Sequence, residues 1–88
     1  MTKLEEKLKE LEYVKEPNLK KTDIEYYSKN FNNDMKFIVK IRNERVVNWE
    51  YHIINNKISE HSLSFSKIVF DQEIKELRGV RKWVKLIS

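Results

Sequence analysis

The sequence predicts a single α+β domain over residues 1–88. It has an N-terminal helix, a three- to four-stranded antiparallel β-meander and a C-terminal helix, with both helices on one sheet face. Three observations predict this. Leu4, Leu8, Leu11 and Val14 recur at helical spacing. Between Lys36 and Ile54, apolar and polar residues alternate with a period of two, as in half-buried antiparallel strands. From Phe70 to Ile87 the helical spacing returns.

Each element has its own local signals. Thr2 with Glu5 forms a capping-box pattern, and Glu5 with Lys9 is a favourable pair one turn apart. Pro17 disfavours helical backbone at Glu16, so the first helix is expected over about residues 3–15. Ile24–Lys29 reads as a short strand. Asn32-Asn33-Asp34 is turn chemistry, because Asn and Asp tolerate left-handed backbone. Phe37, Val39 and Ile41 mark the inward side of the next strand, Asn43-Glu44 a two-residue turn, and Val47, Trp49, Tyr51 and Ile53 the inward side of the strand after it. Asn55-Asn56 suggests a turn into a fourth strand near Lys57–His61. The last helix is expected from Asp71 to Ile87, capped by Ser66 or Asp71, with Gly79 inside it on the solvent side. The expected core is Leu4, Leu8, Leu11, Phe37, Val39, Ile41, Trp49, Tyr51, Ile53, Ile74, Leu77 and Val84.

Composition narrows the function classes. At 88 residues, one domain is expected. With 40% hydrophobic and 36% charged residues, the chain is globular in character. The absence of cysteine excludes disulfide and thiolate chemistry and fits a cytoplasmic setting. The N-terminus has no apolar signal core, and no apolar run approaches the roughly 20 residues of a membrane span. His52 and His61 stand in no metal-ligand spacing, and one glycine cannot build a Gly-rich phosphate cradle. A non-enzyme without metal or cofactor is therefore expected.

Eighteen basic residues face fourteen acidic ones, a net charge of +4. From Leu77 onward the chain holds cations and no anion. Read as a helix, Phe70, Ile74, Leu77, Val80, Val84 and Ile87 line one side, and Lys75, Arg78, Arg81, Lys82 and Lys85 the neighbouring one. With Trp83 as an anchor, these five cations form the expected partner-binding surface, suited to a protein with an acidic patch. The placement of Asp71, Glu73 and Glu76 before them also suits the helix macrodipole without any ligand. A second reading is nucleic-acid binding by Arg78, Arg81, Lys82 and Lys85 together with Lys36, Lys40 and Arg42 on the sheet. A third is self-association through Ile38, Val46 and Ile54 on the open sheet face, leaving monomer and homodimer both open.

The opening Leu4-Glu5-Glu6-Lys7-Leu8-Lys9-Glu10-Leu11, the tyrosine-bearing strand, the polar meander and the closing Glu73-Ile74-Lys75-Glu76-Leu77 resemble small prophage and mobile-element proteins of low-GC Gram-positive bacteria. That resemblance implies a non-enzymatic inhibitor or modulator of host machinery, a group that includes anti-CRISPR proteins. Many anti-CRISPRs are acidic DNA mimics, whereas this chain is basic.

Overall fold

The computed structural model describes residues 2–18 and 22–80. Helix α1 (Lys3–Glu10) opens with the expected capping box: the Glu5 amide donates to Thr2 Oγ1, and the Thr2 amide to Glu5 Oε1. Glu5 is held below the usual carboxylate range, first by that amide and then by the Thr2 hydroxyl.

The helix stops well short of residue 15. Glu12 takes left-handed backbone (φ 71°), and the amides of Glu12 and Tyr13 turn back to the carbonyls of Lys9 and Leu8. This is a Schellman ending built without glycine. It releases Val14–Lys15 into a short strand, β1, which pairs with β2 (Glu25–Phe31). The fourth strand of the sheet therefore precedes the meander.

The meander follows its turns. Asn32 (φ 53°) and Asn33 (φ 60°) link β2 to β3 (Met35–Arg42). Asn43 (φ 52°) and Glu44 (φ 61°) link β3 to β4 (Arg45–Ile53). The first loop has three residues, Asn32 to Asp34; in the two-residue loop Asn43-Glu44, positive φ at both central residues matches the right-handed twist of the flanking strands. All pairings are antiparallel, in the order β1-β2-β3-β4.

No strand forms at Lys57–His61. Ile58 donates to the Asn55 carbonyl in a turn, and Ser59 then caps α2 (Glu60–Gly79) by accepting from the Ser62 amide. The helix thus begins well before Asp71. It ends at Gly79, because Val80 is extended (φ −72°, ψ 126°). The helix expected to run unbroken to Ile87 is interrupted there. A glycine, poor in helices by about 1 kcal/mol relative to alanine, is followed at that point by a stiff β-branched residue. The remainder of that expected helix, residues 81–88, lies outside the described residues.

Leu4 and Leu8 of α1, Tyr13, Tyr27 of β2, Met35, Phe37, Val39 and Ile41 of β3, and Phe70, Ile74 and Leu77 of α2 form one buried cluster. Phe37 stacks on Phe70 with centroids 4.4 Å apart. Leu11 is only partly buried.

The larger correction concerns β4. Trp49, Tyr51 and Ile53 face the same side as Val39, Phe37 and Met35, yet remain 36%, 38% and 45% exposed. They sit on the last strand of the sheet, where α2 covers one flank only. A register shift between Lys40 and Ile41 sets Val46 opposite Ile41, where it packs against the core instead of standing on the open face. Among the described residues, no helix is long and apolar enough to cross a membrane.

Candidate binding surface

Two clusters of charge and aromatic side chains stand out, one inside and one outside. The inner one gathers on Glu73, a carboxylate on the buried side of α2. Tyr13 donates its hydroxyl to Glu73 Oε1 at 2.8 Å, and Lys29 reaches Glu73 Oε2 at 2.6 Å. The same ammonium donates to the Leu11 carbonyl at 2.8 Å and lies 4.8 Å from the Tyr13 ring centroid. Burial, then the hydrogen bond to Glu73, pushes the Tyr13 phenol far above its ordinary value. These contacts tie the end of α1 to β2 and α2, and they are largely buried, with the Lys29 and Glu73 side chains 12% and 11% exposed. The cluster is structural: its buried polar groups satisfy one another.

The outer cluster lies along the seam between β4 and α2. The Arg78 guanidinium sits 5.2 Å over the Trp49 ring, and Lys67 Nζ 5.3 Å over the Tyr51 ring. Lys67 and Arg78 lie on the α2 flank overhanging β4, three turns apart. Lys75 is exposed one turn before Arg78 and makes no ion pair among the described residues. From the Phe31–Phe65 contact, through Phe37–Phe70, to Trp49–Arg78, α2 advances along the sheet toward the β3–β4 hairpin. At that hairpin Arg42 stands opposite Arg45, and both line a shallow depression with Asn43 and Val47.

The other sheet face differs. Lys36 pairs with Glu16 at 3.4 Å, and Lys40 pairs with Glu50 at 3.7 Å while lying 5.6 Å over the Tyr26 ring. His52 Nε2 contacts Glu50 Oε1 at 3.1 Å. Ser28 donates to Glu16, which with Lys36 holds that carboxyl below its usual range. This face neutralises much of its own charge.

Of the cations and anchor expected to bind a partner, Lys75 and Arg78 are brought to one exposed flank. Arg81, Lys82, Trp83 and Lys85 lie outside the described residues. Of the sheet cations, Lys36 and Lys40 point away from that flank and Arg42 lies at the hairpin. Sequence reasoning missed Lys67 and the partly exposed Trp49 and Tyr51. It also missed the buried Glu73, although its position between Phe70 and Leu77 at helical spacing marks an acidic residue on an apolar stripe. Among the described residues, no three of His, Asp and Glu converge as a metal site requires. No known protein family matches this chain, and no curated protein or solved structure resembles it closely enough to count as a match.

Proposed function

We propose that this chain is a non-catalytic protein-binding module that modulates a host factor, in the manner of the phage-type inhibitors it resembles. The single observation carrying this reading is the Arg78–Trp49 stack at an exposed seam, with Lys67 on Tyr51 beside it. Trp, Tyr and Arg are the residue types that dominate interaction hot spots, because they combine large apolar area with a polar handle. Lys67, Lys75 and Arg78 add positive charge, so the partner offers an acidic patch. In sequence, Arg81, Lys82, Trp83 and Lys85 follow directly and extend the same composition.

The test is the double variant Lys75→Glu, Arg78→Glu. It is expected to weaken capture of the partner at least about tenfold, or about 1.4 kcal/mol, while leaving thermal unfolding close to native. Unchanged capture would remove the α2 flank from the site.

Nucleic-acid binding is the second reading, favoured by the Arg42–Arg45 pair at the hairpin toward which α2 runs. It requires affinity that falls steeply with salt, because phosphate contacts release counterions. Salt-insensitive capture of a protein would exclude it.

A further inference from the structure

The two edges of the sheet are built differently. β1 is two residues long and is followed by Glu16 and Pro17, and its Lys15 is held by Glu25 at 2.7 Å. A short strand with lysine and a nearby proline is how proteins blunt an edge against pairing. β4 is nine residues long and contains neither lysine nor proline. Its only irregularity lies at the hairpin end, where Val46 rather than Val47 faces Ile41.

The direction of its backbone follows from two contacts. The Ile54 amide donates toward β3, to the Asp34 carbonyl at 2.7 Å. Peptide groups alternate along a strand, so Asn48, Glu50 and His52 also point toward β3, and Trp49, Tyr51 and Ile53 point outward. The Trp49 amide agrees: it donates to the side chain of Asn48 at 2.8 Å instead of to a strand. Among the described residues, nothing pairs with this outer edge.

We propose that the outer edge of β4 is the docking site for a second copy of this chain, pairing antiparallel about a two-fold axis at Tyr51. In that register the outward peptide groups meet one another. Tyr51 faces Tyr51 of the second copy, and Trp49 faces its Ile53. On the helix side, the half-exposed Trp49, Tyr51 and Ile53 cover their counterparts as aromatic and aliphatic cross-strand pairs. On the other side, Glu50 falls opposite His52 of the second copy, a hydrogen-bonding pair that repeats the Glu50–His52 contact within one chain. A shift by two residues would set Glu50 against Glu50 in one direction and His52 against His52 in the other, so only the Tyr51-centred register of these three pairs the carboxylate with the imidazole. The result is one continuous sheet with β1 at both ends, where pairing is blunted. The dimer shares Trp49 and Tyr51 with the proposed partner surface but does not use Lys75, so the edge variants below and the Lys75→Glu, Arg78→Glu variant test the two proposals separately.

The experiment is sedimentation equilibrium of the native chain from about 10 µM to 1 mM, the range that reveals dimers of modest affinity. The expected mass rises to twice the 10.8 kDa of one chain. Tyr51→Pro, which removes an outward donor and no bond to β3, and Ile53→Lys, an edge guard, are both expected to stay monomeric where the native chain is dimeric. Ile53→Lys keeps the test decisive if the proline variant fails to fold. The register is read by single cysteines in this cysteine-free chain: Tyr51→Cys is expected to cross-link to itself on mild oxidation far faster than Glu50→Cys. A native monomer at every concentration would overturn the proposal and leave the edge to another segment of this chain or to an extended segment of a different protein. So would a dimer that both edge variants leave intact, or equal cross-linking of the two cysteine variants.

Discussion

Lys29 and Arg78 make the same kind of contact in two different places. Each holds a cation about 5 Å from an aromatic ring, Lys29 over Tyr13 and Arg78 over Trp49. The Lys29 side chain is 12% exposed, is paired with Glu73 and has its remaining hydrogen bonding directed to Leu11. Arg78 has one aromatic wall and open solvent around it. Burial decides what each contact does. Inside, every polar group must find a partner, so removing one strands the others. Outside, water replaces a lost partner at little cost, so the contact adds little to the fold and leaves the cation available to an acidic surface.

The predictions probe this difference from the largest effect downward. Val39→Asp would place an unpaired carboxylate at a position with 0% exposure in the hydrophobic core. Its cost of several kcal/mol is comparable to the whole stability of a domain this size, about 5 kcal/mol, so calorimetry should find no cooperative transition. A normal melt would mean that the sheet faces are assigned wrongly. Lys29→Ala leaves Glu73 buried without its cation and should cost about 3–5 kcal/mol in urea unfolding. A loss under about 1 kcal/mol would contradict the closed inner network.

Alkali tests the same network by another route. The folded Tyr13 phenol has its pKa raised by burial and by Glu73, whereas the unfolded phenol titrates near 10.0. The stabilisation is therefore complete below pH 10 and declines as the unfolded state ionises above it. Phenolate absorbance should show at least one tyrosine that ionises only with unfolding. Full ionisation of every tyrosine in the native chain would refute that. The smallest effect belongs to the outer contact: Arg78→Ala should cost about 0.5–1 kcal/mol, read as a small shift in the urea midpoint. A cost equal to that of Lys29→Ala would erase the distinction between the regions.

How much of this was legible in the sequence depended on how local the cause is. Asn32-Asn33 and Asn43 could be read directly, because few side chains accept positive φ as readily as Asn, and the flanking alternation leaves only a turn, which carries Glu44 with it. Thr2 and Glu5 could be read for the same reason, since a cap is a short-range hydrogen bond. The end of α1 could not. Glu12 in left-handed backbone breaks the expectation that glycine or asparagine fills that position, and it hid β1 from the helical spacing around it. The start of α2 was obscured by a serine-rich stretch whose one strong signal, Ser59 at the cap, fell inside the segment read as a fourth strand.

For the candidate surface, alternation identified the side on which Trp49, Tyr51 and Ile53 stand. It could not show that β4 ends the sheet, or that α2 stops short of covering it, because both depend on packing between distant segments. Lys75 and Arg78 were recognised from helical spacing. The placing of Arg78 over Trp49 required the crossing of α2 over β4, which no spacing encodes.

The most direct measurement is a side-by-side capture from a low-GC Gram-positive lysate, nuclease-treated, using the native chain and the Lys75→Glu, Arg78→Glu variant at matched thermal stability. The account predicts a discrete protein that survives nuclease, binds the native chain and is lost with the variant. Equal capture by both chains, or capture that disappears with nuclease, would contradict it.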